Sequence, residues 1–508
     1  MLWFGLQGQM AWATIIGMRF LSFKRVVRWF LLLVVLLWIS LGCYHSFKSL
    51  PDGISMESSA QPVSGVRFLA DYTWVDEQGV RQTDQQIFTR IFELISQAER
   101  LVLLDMFLFN DFAGDADLIG KDPSLRPLSD QLDTVLLNRQ AEVPGLRIVL
   151  ITDPINHLYG GLSSQRFDAL RQAGVELVMT DLNRLRDSNP IWSGFWRLCC
   201  QWFGNSSDGG WFPNPVGSEK VTLRTWFKLA NFKANHRKVM VVDAGDKLVG
   251  LVTSGNPHDA SSAHGNVALE FSGAGVTDLL NSEQAVLDFS AGDIEPLQIS
   301  NTSSTDSSND STAPLTLAVL TESKIRDRVI GTLHDLNRGD RVDFSMFYLS
   351  HRGIIEAMIE AHQRGAVFRV LLDPSEDAFG KKKNGIPNRQ VAMELHEAGI
   401  PVRWCDTHGE QCHSKLMLTR PSNAPAELLL GSANFTRRNL DDLNLETNVV
   451  LVGDASEPVF VDAAAFFELQ WNNGPNQFFS QPYEYYADES RWRYWRYRIM
   501  EATGLSTF

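Results

Sequence analysis

Two short stretches of this chain place a histidine two residues ahead of a lysine: Asn235-His236-Arg237-Lys238 and Cys412-His413-Ser414-Lys415. Each leads into an apolar run, 239–242 in one case and 416–418 in the other. If the run continues a β-strand, alternate side chains share a face, so His and Lys stand side by side. That pair suits a phosphate. An imidazole can attack phosphorus or pass a proton, and an ammonium neutralises oxygen charge. The same pair is a poor metal site, because a protonated lysine has no lone pair to give. No metal and no cofactor is expected.

The two stretches are parts of longer copies. Thr253-Ser254-Gly255-Asn256 follows the first and Gly431-Ser432-Ala433-Asn434 the second, with the Asn 20 and 21 residues past the His. Glu270 lies 34 residues past His236 and Glu446 lies 33 past His413. Upstream, Leu101-Val102-Leu103-Leu104-Asp105-Met106-Phe107 parallels Val342-Asp343-Phe344-Ser345-Met346-Phe347. A strand-like run before Asp153-Pro154 parallels one before Asp373-Pro374. Repetition in this order points to duplication of a whole domain.

His-x-Lys followed by Ser-x-Asn, twice in tandem, resembles the phospholipase D superfamily, and the resemblance covers residues 66–471. It implies an α/β fold of two tandem sandwich domains with pseudo-two-fold symmetry and one site between them. It also implies in-line displacement at a phosphodiester. One His, taken as His236, forms a covalent phosphohistidine, while the other, His413, protonates the leaving alcohol. Symmetry leaves the reverse assignment open. By the same resemblance Lys238 and Lys415 join the catalytic set, and Ser254, Asn256, Ser432 and Asn434 bind phosphate oxygens. Glu270 and Glu446 would hold the imidazoles in one tautomer. Asp243 stands seven residues after His236, where the family has an Asp, and by the resemblance joins the catalytic set; Arg420 takes that place in the second copy. Asn439, Asn444, Glu446 and Asn448 resemble the pattern of bacterial cardiolipin synthases, which implies phosphatidyl transfer on a phosphatidylglycerol-like phospholipid. The alternatives are a membrane-anchored nuclease of the same superfamily and a non-catalytic envelope scaffold.

The positioning elements follow from composition. The 508 residues suffice for two full cores, and the net charge of −14 argues against a non-specific nucleic-acid binder. Residues 1–50 read as a membrane anchor or signal region. Its apolar run 29–44 follows the basic cluster Arg19, Lys24, Arg25 and Arg28. The positive-inside rule keeps that cluster in the cytoplasm and puts the rest on the extracytoplasmic side, expected to be that of a bacterial inner membrane. Residues 1–18 read as a weaker first segment. Cys43 stands in a faint lipoprotein-like context. Residues 51–65 read as a linker, 66–296 as the first domain, 297–314 as a Ser/Asn-rich linker, 315–480 as the second domain and 481–508 as an aromatic, basic tail. The first domain carries a Trp-rich insertion, 183–232, which suits a membrane interface or acyl gate, or else packs on its own domain. Cys405 and Cys412 are spaced to pair in an oxidising compartment, with free buried thiols as the simpler expectation. His258 and His264 read as surface or loop residues. Oligomeric state is not legible.

Overall fold

The computed structural model describes residues 4–112, 125–202, 210–214, 219–231, 233–291, 294–297, 315–378 and 381–506. Residues 298–314 of the expected Ser/Asn-rich linker, and Phe203 and Phe232 of the insertion, lie outside the described residues.

Seven strands in each half form the frame. The first half contributes β1 (Gln61–Val75), β2 (Leu101–Met106), β3 (Arg147–Thr152), β4 (Glu176–Met179), β5 (Lys238–Ala244), β6 (Lys247–Thr253) and β7 (Asn266–Gly273). The second contributes β8 (Leu315–Thr321), β9 (Arg341–Met346), β10 (Val367–Leu372), β11 (Val402–Cys405), β12 (Lys415–Arg420), β13 (Ala426–Gly431) and β14 (Thr447–Gly453). With Arg81–Gln85 beside β1 and Ser480–Pro482 beside β11, they make one 16-stranded mixed sheet. Its centre is the short antiparallel contact of β1 with β8, Gln61 opposite Leu317. Outward from there the first half reads β1-β7-β6-β5-β2-β3-β4 and the second β8-β14-β13-β12-β9-β10-β11, the same order position for position. In both halves the outer strands pair in parallel and the inner ones antiparallel.

The expected apolar runs are buried strands. β2 and β5 are buried along nearly their whole length, as strands covered on both faces must be. The helical spacing of Ile87, Ile91, Leu94 and Ile95 is realised in α2 (Ile87–Gln97), which buries those four side chains. The inner faces of both half-sheets share a core, with Val239, Val241, Leu416 and Leu418 packed together with side chains of helices 275–290 and 458–472. Separate clusters cover the outer faces.

Buried charge also joins the halves. Arg237 is fully buried, and its guanidinium reaches Glu283 of the first half at 3.1 Å and Glu322 of the second at 2.9 Å. Glu322 also accepts from the backbone N–H groups of Ser55 and Glu446. The expected linker before β1 is not free either. Met56 and Ser58 bond along β8 through Thr321 and Val319.

At the N-terminus a single helix, α1, runs Phe4–Phe47. The two segments expected before residue 50 are therefore continuous, with no turn to make them separate spans. Phe23–Phe47 is long and apolar enough to cross a membrane by length and composition. Its 25 residues extend about 37 Å, against a hydrocarbon core of roughly 30 Å.

Candidate active site

His236 and Lys238 sit at the start of β5, and His413 and Lys415 at the start of β12, on corresponding strands of the two halves. Both lysines are fully buried, and both histidines are over nine-tenths buried. Each lysine Nζ donates to the carbonyl oxygen of its own histidine at 2.7 Å. Each pair rests on a phenylalanine. The Phe107 ring lies 4.7 Å from the His236 ring, with Lys238 Nζ 5.1 Å from its centroid. Phe347 repeats the arrangement at 4.9 and 5.1 Å with His413 and Lys415.

Each histidine is held by the other half. The N–H of His236 donates to Leu445 O at 2.9 Å, and Leu445 N–H returns a bond to Ala234 O. Likewise His413 N–H donates to Gly265 O at 2.8 Å, and Gly265 N–H to Gln411 O. The residue after each of these partners then faces an imidazole. His236 Nδ1 lies 2.9 Å from Glu446 Oε1, and His413 Nδ1 lies 3.1 Å from Asn266 Oδ1. From behind, Asp153 accepts from Asn235 N–H and Asp373 from Cys412 N–H, fixing the residue before each histidine.

Ser432 Oγ and Asn439 Nδ2 both donate to the Glu446 carboxylate. Ser254 Oγ lies 3.3 Å from Asn266 Oδ1. The serines thus brace the groups behind the imidazoles. Asn256 Oδ1 accepts from Leu108 N–H at 3.3 Å, and Asn434 Oδ1 is buried with no hydrogen-bond partner.

Glu270 and Asp243 do not take their expected places. Glu270 pairs with Arg90 at 2.8 Å, and the position equivalent to Glu446 belongs to Asn266. The first half has 18 residues from His to Ser and 12 from Ser to this position, against 19 and 14 in the second, so Glu270, the Glu nearest the second copy's spacing, lies four residues too far along β7. The strand partners Ser254–Val267 and Ser432–Thr447 set the true register. Asp243 sits at the far end of β5, where its carboxylate accepts from Glu99, Arg100 and Leu101 N–H. That is about 23 Å of strand from His236. Arg420, its counterpart, pairs with Asp343.

His258 and His264 are buried rather than exposed. The His264 ring lies 5.8 Å from that of His413, and its Nε2 is buried without a partner. Cys405 is joined to Cys412, and Cys199 to Cys200, in disulfides, so Cys405 and Cys412 are not free thiols.

Burial dominates the electrostatics. It lowers His236 to about 4 against the opposing pull of Glu446, and Lys238 to about 7. His413 and Lys415 are also held well below their usual values, by burial and then by neighbouring cations, Lys415 for His413 and Lys238 for Lys415. Two lysines and two histidines thus converge with one carboxylate, Glu446, in contact. Such a site favours an anion, whose charge would restore the ammonium groups to full protonation. Among the described residues no cluster of acidic, histidine and cysteine side chains could hold a metal.

The comparisons with known proteins agree with this frame. The family model described as cardiolipin synthase, phospholipase D-like domain, matches residues 333–471, the segment that holds His413, Lys415, Ser432, Asn434 and Glu446. That segment, and with it the second half of the sheet, is a domain of the phospholipase D-like family. Among solved structures it is similar to the phosphatidylserine synthase of Haemophilus influenzae Rd KW20, at 10% identity and a TM-score of 0.52, covering 93% of this chain and 98% of that one. Weaker likenesses are the polyphosphate kinase of Porphyromonas gingivalis (12% identity, TM-score 0.42, 86% of this chain and 53% of that one) and the phospholipase D family member Nuc of Salmonella typhimurium (17%, 0.25, 32% and 97%). No curated protein matches the sequence. Phe107, Phe347, Asn266, Asp153 and Asp373 were not assigned to the site from sequence. The Asp-Pro and Phe positions carried a signal, since they recur in both copies.

Proposed function

We propose that this superfamily member transfers the phosphatidyl group of a phospholipid to an alcohol through a phosphohistidine on His236. The observation that carries the assignment is the unequal backing of the two imidazoles. His236 stands on the carboxylate of Glu446, and His413 on the neutral amide of Asn266. Asn266 Nδ2 donates to Asp71 Oδ2 and His264 O, which fixes its Oδ1 toward His413. A nucleophilic imidazole gains positive charge as it bonds to phosphorus, and a carboxylate behind it stabilises that charge. A proton donor works better without one, since a neutral partner keeps its imidazolium acidic.

In the first step His236 Nε2 bonds to phosphorus, the P–O bond to the headgroup breaks, and the leaving alkoxide takes a proton from His413. In the second, His413 removes a proton from the incoming alcohol, whose oxygen displaces His236. Lys238 and Lys415, with Asn256 and Asn434, bind the non-bridging oxygens. A phospholipid substrate is supported by the spanning-length helix and by the description of the family model. An extracytoplasmic site is supported by Lys24, Arg25 and Arg28 in the first turns of the span and by the Cys405–Cys412 disulfide beyond its other end.

The test is intact mass after brief exposure to phosphatidylglycerol vesicles, for the wild type and His413→Ala. A phosphatidyl adduct on His236, with cardiolipin among the wild-type products, is the expected result. Phosphatidate alone would make the enzyme a hydrolase. Absence of any adduct or lipid turnover, with cleavage of single-stranded DNA, would replace the lipid reading by the nuclease one.

A further inference from the structure

The Trp-rich insertion is seated on the membrane helix. Its helix α3 (Pro190–Phe195) lies against α1, where Trp38 Nε1 donates to Ile191 O at 2.7 Å. Glycines permit the approach: a Cβ at Gly194 would collide with Trp38 O, and one at Gly42 with Pro190 O. Further along, Asp187 N–H donates to His45 O at 2.9 Å, and Arg186 Nε donates to Lys48 O at 2.9 Å. Trp38 lies six residues before Tyr44, about 9 Å along the axis toward the middle of the apolar run. Side chains that pack there share its depth.

The C-terminal helix α4 (Arg491–Thr503) joins the same surface. Gly504 at its end backs onto Ser188 O, and Leu505 lines one apolar hollow with Trp38, Ile191, Trp192 and Phe195. Ile191, Phe195 and Leu505 are nonetheless exposed, and Trp202 nearby is 75% exposed. Along α4, Trp492, Trp495 and Ile499 are 78%, 60% and 58% exposed at a spacing that puts them in one stripe.

We infer that α3, Trp202 and the Trp492–Trp495–Ile499 stripe form an apolar collar that sits in the lipid bilayer around one end of α1. The inference rests on reading α1 as a membrane span. Its occupant is the bilayer because α3 and the turn 196–200 leading to Trp202 pack on the span itself, which places them at membrane depth, and α4 adjoins α3 through Gly504 and Leu505. Trp side chains favour this boundary. The collar is also tied to the site. Arg438 donates to Gly504 O and Ser506 O, and its neighbour Asn439 donates to Glu446, which holds His236.

The full-length protein, carrying benzoylphenylalanine in place of Leu33, Trp202, Trp495 or Val367, is reconstituted in phosphatidylglycerol–phosphatidylethanolamine vesicles, irradiated and analysed by mass. Lipid adducts are expected at 33, 202 and 495. Val367, half-exposed at the start of β10, should give none. Adducts at 33 but not at 202 and 495, or a protein–protein crosslink at 495, would overturn the collar and leave the span standing. No adduct at 33 would overturn the span, and the collar with it. Lipid adducts at Val367 as well would mean that capture is indiscriminate, and would overturn the collar too.

Discussion

At the scale of single residues, the two halves are not equal. Glu446→Gln removes the charge behind His236 while keeping its shape. It is expected to lower kcat by on the order of 10²–10⁴, as loss of the carboxylate behind a catalytic histidine does elsewhere. Asn266→Asp should cost far less than that. Equal losses in steady-state turnover would sink the assignment of His236 as nucleophile. Lys238 gives the pH dependence. Burial lowers it to about 7, so its charge is present below that pH and lost as pH rises through it. kcat/KM on an anionic phosphodiester is therefore expected to fall above about pH 7, and Lys238→Arg, which stays charged, should remove that limb from the profile. His258 is expected to tie stability to pH. Burial lowers it to about 4, below the unfolded value of 6.5, so its contribution is full above pH 6.5 and lost as pH falls toward 4. The loss should approach about 3 kcal/mol. Denaturant melts of His258→Gln beside the wild type, across that range, would show the difference.

At the scale of elements, distance along a strand separates chemistry from support. Asp243 shares β5 with Lys238 but sits at the other end, holding the start of β2 through three backbone N–H groups. Asp243→Asn should reduce stability by about 1–3 kcal/mol in denaturant melts, with kcat of the folded fraction unchanged. A selective loss of kcat would return Asp243 to the catalytic set. This residue also marks where sequence reading stops. The repeated His-x-Lys and Ser-x-Asn stretches, and the apolar runs around them, were legible because strand period and burial act locally. The partner of His413 was not. Asn266 and Glu446 occupy equivalent places only through backbone pairing between strands, and a spacing from the histidine three residues shorter in one half defeats counting. Burial of His258 and His264 was equally hidden, since it is created by segments distant in the chain, with His264 meeting Gln411 and His413 of the other half.

At the scale of the whole molecule, the halves are bound by a shared core, a buried ion cluster and the site itself. Arg237→Met would leave Glu283 and Glu322 facing each other without their cation, a change expected to cost about 3–5 kcal/mol. Its signature should be a lowered melting temperature, with the loss of turnover tracking the unfolded fraction. The crossed holding of the histidines reaches further than stability. A chain whose synthesis has stopped short of Glu446 already owns its N-terminal apolar helix and its first histidine, yet has nothing behind that imidazole. On the function proposed above, an enzyme that attacks lipids would be a hazard while half made. Here His236 gains its backing only once the second half has folded onto the first, so a half-made chain lacks a complete site.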